Sequence, residues 1–337
     1  MKLDKLTFFV LLLLLTSCKL GPEPTVLPTP VYSTETSNPA PTLDASASLP
    51  PSQLGMAGFR DQLAVADQFF LILANVPAPP DDQAYQGWLL GDDGTTLNTG
   101  ILPLAPDGSV TLTWNSPISE NLLNRYARFQ ITLEPAAGAD KNHPSANPTG
   151  KVVFAGSLEG AALANARRLF VKNDGEPATP LDTAFALGLL AETGLAAQHV
   201  TNAVNAAAIG AQDEMRAHLE HVVNILEGAS GPRYGDHDGN GTAENPGDGF
   251  GVIGYSRQIA ALLPGQATVA ETDASIQAQI AVIQDKCLEI LQLEDPGAAA
   301  SQLSELQQLI DQFQTDPVAS LYQAAQDSVR FEVIPIE

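Results

Sequence analysis

The segment Tyr234 to Gly251, YGDHDGNGTAENPGDGFG, crowds acidic, amide and glycine residues together as no other part of the chain does. Asp236, Asp238 and Asn240 alternate, Gly241 falls at the sixth position counted from Asp236, and Thr242 falls at the seventh. Side-chain oxygens at alternate positions, a glycine for the sharp turn and a backbone carbonyl after it suit a hard cation such as calcium. Glu244 holds the ninth position, and the twelfth is Gly247 rather than a bidentate glutamate. Asn245-Pro246-Gly247 reads as an inserted turn that brings Asp248 round to close the shell. The expectation is a structural calcium ion held by Asp236, Asp238, Asn240, the Thr242 carbonyl, Glu244 and Asp248. The competing reading is a glycine-rich connector of Asx turns. Gathered carboxylates without nearby cations repel one another, which favours the ion.

Histidine supplies a second constellation. Of five histidines, His199, His218 and His221 fall in segments with helical periodicity. With a turn near Gly210, His199 and His221 are equally far from it and face each other across an antiparallel helical hairpin. At 100 degrees per residue, Glu214, His218 and His221 share one flank of the second helix, and Glu192 lies with His199 along the first. The set Glu192, His199, Glu214, His218 and His221 therefore forms a candidate transition-metal or haem site inside a bundle. A satisfied polar layer or plain surface histidines is the alternative, since neither paired Glu-x-x-His motifs nor HExxH is present. A nucleophile elbow, a P-loop, a dinucleotide fingerprint and a paired-cysteine zinc site are also missing, and no enzyme activity is expected.

The elements that must carry these residues are helices. Residues 181–208 are rich in Ala and Leu, and 212–227 put Met215, Leu219, Val222 and Leu226 on one stripe. Ile276, Ile280, Ile283, Cys287 and Ile290 recur at four-three spacing, as do Leu303, Leu306, Ile310 and Phe313. Such stripes pack helices together, so residues 181–337 are expected to form a helical bundle containing the loop 234–251. Thr315-Asp316-Pro317 reads as a stop followed by a short last helix. The first half of the 236–248 loop is similar to EF-hand loops, and its displaced closing Asp is similar to that of dockerin-like calcium loops.

Residues 57–160 show a different period. Short apolar runs at 69–76, 85–91, 109–114, 128–134 and 151–156 are separated by turn chemistry such as GDDGT, APDG and NHPSANPTG. The pattern predicts a small antiparallel β-sandwich, followed by a joint at 161–180 and then the bundle. Trp88-Leu89-Leu90, Asp92-Asp93-Gly94, Gly100, Asp107-Gly108, Ile131 to Pro135, Gly138, Pro148-Thr149-Gly150 and Val152 to Gly156 carry a resemblance. Together they resemble the extracytoplasmic C-terminal domain of anti-sigma-K factors of the RskA type. The resemblance implies the domain type and not sigma inhibition, because the membrane-directed element expected here is a cleavable leader. Read from the residues alone, Glu134-Pro135 and Pro148-Thr149-Gly150 are turn punctuation, and Trp88 and Trp114 are core or sheet-face residues.

That leader is residues 1–18, with Lys2 and Lys5, an apolar run from Phe8 to Leu15, and Leu15-Thr16-Ser17-Cys18. The run is short for a membrane span. It resembles a bacterial lipoprotein signal, and the resemblance implies that Cys18 is lipidated. Residues 19–56, rich in Pro, Thr and Ser, bury too little apolar surface to fold and read as a disordered tether. With Cys18 acylated, the one other cysteine, Cys287, is a lone thiol. The chain carries a formal net charge of -23, which argues against nucleic acid as a partner. The combined expectation is a lipid-anchored extracytoplasmic protein of the bacterial envelope, non-enzymatic, with a binding or sensing role and an unassigned protein or cell-surface ligand. The alternative is a metal- or haem-binding bundle with a redox-linked role.

Overall fold

The computed structural model describes residues 54–135, 147–293 and 296–336. The leader, Cys18, most of the expected tether and Gly138 lie outside the described residues. Seven strands follow in order: β1 (Gly55–Arg60), β2 (Gln68–Leu73), β3 (Gln83–Gly91), β4 (Thr96–Ile101), β5 (Val110–Asn115), β6 (Tyr126–Pro135) and β7 (Lys151–Ser157). An eighth, β8 (Arg330–Pro335), comes from the far end of the chain. They form one antiparallel sheet in the order β4-β3-β6-β7-β8-β1-β2-β5.

The alternation of β5 shows why these segments are strands. Val110, Leu112 and Trp114 turn toward the core, while Thr111, Thr113 and Asn115 face water, the period-two pattern of a sheet solvated on one face. The sheet curls so that its two halves face each other: Phe69 of β2 stacks on Phe129 of β6 with centroids 4.7 Å apart. The connector after β4 bridges to β5 between Leu104 and Val110, which keeps the two edge strands near each other and makes the sheet nearly a barrel. The predicted sandwich thus has its two facing layers, joined along one side by β7 and β8. Asp93-Gly94 and Asp107-Gly108 are turns, with each glycine at φ near +80° and each aspartate accepting from the residue two places on.

The helical part comprises α1 (Gly160–Phe170), α2 (Phe185–Ala208), α3 (Gln212–Glu227), α4 (Val252–Leu262), α5 (Ala267–Leu291), α6 (Pro296–Phe313) and α7 (Ala319–Asp327). Every apolar stripe residue named above is buried, Cys287 included. Cys287 is a free thiol, and burial pushes its ionisation well above the ordinary cysteine range.

Three boundaries differ from expectation. The first half of the 161–180 joint is helix α1, whose Ala166, Leu169 and Phe170 are buried. Thr315-Asp316-Pro317 does not end a helix: a π turn over Gln314–Val318 absorbs Pro317 and carries α6 into α7. Widening the turn tolerates the missing proline N–H. Last, the bundle's final residues return to the sheet as β8, between β7 and β1. The apolar core runs unbroken from sheet to helices. At that seam the Phe170 and Tyr322 rings meet edge to face at 5.7 Å, and the Tyr322 hydroxyl donates to Asp61 at 2.6 Å. No helix among the described residues is long and apolar enough to cross a membrane.

Candidate metal sites on the helical hairpin

Helices α2 and α3 turn back on each other at Gly210, which has a positive φ of 76°. The hairpin brings His199, His218 and His221 together, with ring centroids 4.8 to 5.9 Å apart. His199 Nδ1 lies 3.0 Å from His218 Nδ1 and 3.3 Å from His221 Nδ1. Burial, then the neighbouring His221 and His218, hold His199 down at about 3. Burial and His221 also lower His218, against a smaller upward pull from Glu214. Both imidazoles are therefore neutral at physiological pH, the state that ligates metals.

The two glutamates expected beside them do not join. Glu214 is exposed near the start of α3 and reaches His218 only through its charge. Glu192 is buried two turns earlier on α2, where its Oε1 accepts from the backbone N–H of Asp248 at 3.1 Å. Burial and then the charge of Asp248 push its carboxyl up to about 8. With rings so close, two of these histidines cannot lie on opposite faces of a haem. The geometry suits a single ion.

The connection that contains the loop 234–251 leaves α3 at Gly228 and enters α4 at Gly251, and the two backbones touch there. A Cβ added to Gly251 would lie 2.5 Å from Gly228 N. Within the loop, Asp236 accepts from the N–H of Gly239 at 2.8 Å and of Gly241 at 2.9 Å. Asp238 accepts from Asn240 N–H, and Asn240 from Thr242 N–H, each at 2.8 Å. These are Asx turns of the kind the competing reading invokes.

What holds the loop down comes from α3. Glu220 is buried beneath it and accepts the N–H groups of His237 at 2.6 Å, Asp238 at 3.0 Å and Glu244 at 2.7 Å. Asn224, one turn further, exchanges hydrogen bonds with Gly235 and donates to the Glu244 carbonyl. Among the described residues, Glu220, Asp236 and Asp238 each offer one oxygen within 4.8 Å of the others, close enough to share a cation.

Two residues expected to complete the calcium shell point elsewhere. Asp248 accepts from Phe250 N–H at 2.8 Å and from the Tyr255 hydroxyl. Glu244 turns its carboxylate to His221 Nε2, 3.4 Å away. Sequence reasoning missed Glu220 and Asn224. They lie four apart near the end of α3 among the buried residues Leu219, Val222, Val223, Ile225 and Leu226, but no spacing rule marks a polar residue there as buried.

A third cluster explains the β-domain motif. The buried Glu134 carboxylate accepts the Thr132 hydroxyl at 2.7 Å, Thr149 N–H at 3.0 Å, the Thr149 hydroxyl at 2.5 Å and Gly150 N–H at 2.9 Å. Trp88 Nε1–H in turn donates to Thr132 at 2.8 Å. Gly150 approaches the Leu133 carbonyl so closely that a Cβ there would sit 2.0 Å from its oxygen. Thr132-Leu133-Glu134 and Pro148-Thr149-Gly150 are thus two halves of one clasp across β3, β6 and β7.

In comparison with known proteins, residues 27–152 match the family model described as anti-sigma-K factor rskA, C-terminal. The match starts inside the segment read as tether, ends within β7, and leaves β8 and all the helices outside it. No curated protein and no solved structure matches the chain.

Proposed function

From the resemblance of residues 27–152 to the C-terminal domain of anti-sigma-K factors, we infer that this chain is an extracytoplasmic binding or sensing module of a bacterial envelope. It is anchored by a lipid on Cys18 and held off the membrane by the segment that follows. The match is the observation that carries the reading. Binding rather than catalysis also fits the local chemistry. The two buried carboxylates that anchor loops, Glu134 and Glu220, spend their oxygens on the chain's own backbone N–H groups. A carboxylate so occupied positions structure and is a poor general base. In this reading the 236–248 loop takes calcium as a structural ion through Asp236 and Asp238, with Asn240 and the Thr242 carbonyl, while Glu220 holds the loop's backbone beneath them.

The experiment is fractionation of bacteria that express the full chain, with and without Cys18→Ser, followed by protease treatment of intact cells or spheroplasts. The reading expects wild-type protein in the membrane fraction and open to protease, and Cys18→Ser protein unprocessed or released. A Cys18→Ser protein that is processed and retained like wild type would overturn the anchor, and protection of the wild type in intact spheroplasts would overturn the location.

A further inference from the structure

We propose that His199, His218 and His221 form a binding site for a single divalent ion of the zinc class, with Glu244 as its outer carboxylate. The inference is independent of where the protein resides. Its first support is the spacing of the ring nitrogens. Zinc bonds of about 2.0–2.1 Å at tetrahedral angles place two ligand nitrogens about 3.3 Å apart. His199 Nδ1 lies 3.0 and 3.3 Å from the other two Nδ1 atoms, and all three rings offer a nitrogen within 4.8 Å of the others.

The second support is an unmet bonding requirement. His199 Nδ1 carries either one hydrogen or one lone pair, so it can serve only one of its two close neighbours well. A cation at the centre of the three nitrogens satisfies every lone pair at once. The third is the opposite edge of His221. With Nδ1 on the metal, the hydrogen sits on Nε2, and Nε2 faces the Glu244 carboxylate at 3.4 Å. A carboxylate on the far nitrogen of a ligand histidine fixes its tautomer and strengthens the ligand.

Three imidazole ligands leave a fourth position of a tetrahedron for water or another ligand, and His218 and His221 are only partly buried. Imidazole nitrogens select borderline ions over magnesium and calcium. This site is therefore distinct in chemistry from the all-oxygen group of Glu220, Asp236 and Asp238. Glu244 also belongs to the 234–251 loop, so an ion at the histidines draws that loop against the α2–α3 hairpin.

Equilibrium dialysis of the untagged mature chain against zinc, followed by metal analysis, tests the site, with cobalt(II) as a spectroscopic substitute. Wild type should hold one zinc at micromolar free metal, and its cobalt form should show the visible absorption of a tetrahedral ion. His199→Ala and His218→Gln should each abolish this stoichiometric binding, while far-ultraviolet circular dichroism shows the helices kept. Glu244→Gln should retain one zinc with roughly tenfold weaker affinity. The doubly substituted Asp236→Asn, Asp238→Asn protein should bind zinc as wild type does. Absence of zinc in wild type, unchanged binding in both folded histidine variants, or loss of zinc in the aspartate variant would each overturn the proposal.

Discussion

At the scale of single residues, Glu192 is a carboxylate that the fold encloses. Its Oε2 is buried without a hydrogen-bond partner, and its Oε1 has one backbone donor. With so little compensation, removal from water dominates, and the charge of Asp248 adds to it, so the carboxyl ionises at about 8 instead of the ordinary 4.5. A raised folded value means that the stabilising contribution is fully present below about pH 4.5 and is lost as pH rises through about 8. Glu192→Gln keeps the shape and removes the ionisation. Thermal melts across pH should show it close to wild type near pH 5 and exceeding it above pH 8, by about 3–5 kcal/mol. Parallel profiles for the two proteins would mean that Glu192 is solvated.

Glu134 poses the opposite case, a buried carboxylate with four donors. Glu134→Ala orphans the N–H groups of Thr149 and Gly150 together with the hydroxyl chain that ends at Trp88. Urea unfolding followed by tryptophan fluorescence should register a loss of about 2–4 kcal/mol. A loss under about 0.5 kcal/mol, the size of an ordinary surface substitution, would show that the clasp is not structural. The histidine trio was legible from residue types alone, because helical period and a turn at Gly210 fix which positions meet. What Glu192 and Glu220 hold was not, because it depends on which loop residues settle over them, and no spacing rule states that.

At the scale of elements, the strands with alternating or continuous apolar runs were legible, and those without were missed. β2, β3, β5, β6 and β7 fall within a few residues of expectation. β4 reads Thr-Leu-Asn-Thr-Gly-Ile, with too few apolar residues to announce itself, and β1 carries two glycines. β8 was hidden for a different reason. Six residues after a helix give no hint that they cross back to a sheet begun nearly three hundred residues earlier, because long-range pairing leaves no local mark.

The consequences of β8 are testable. Its Phe331 and Val333 are buried, and it supplies the partner of β1 over Gly55–Gly58 and of β7 at Phe154 and Ala155. Ending the chain at Asp327 leaves two open strand edges and an uncovered core, a template for aggregation. That truncated protein should lose its cooperative melt and its near-ultraviolet circular dichroism. A point version exists at Gly156, where a Cβ would lie 2.2 Å from the Glu332 carbonyl oxygen. Gly156→Val in the full chain should destabilise by about 2 kcal/mol or more, through displaced β8 packing. Wild-type stability in both would remove β8 from the account.

At the scale of the whole molecule, the continuous core and the returning strand join the β domain to the helices. The change from period two to period 3.6 across the 161–180 joint marks a boundary in composition. Composition does not reveal packing across that boundary. A shared unfolding transition would give a sensing reading physical content, since an ion bound on the α2–α3 hairpin would then be felt in the sheet.

The most direct measurement is scanning calorimetry of the mature chain with millimolar calcium, with magnesium and with chelator. The account predicts a single transition whose calorimetric and van't Hoff enthalpies agree. It predicts that calcium at ten- to twentyfold its dissociation constant stabilises the whole by about 1.5–2 kcal/mol, that magnesium does less, and that Asp236→Ala with Asp238→Ala removes the effect. Two separate transitions, of which calcium moves only one, or three identical traces, would contradict it.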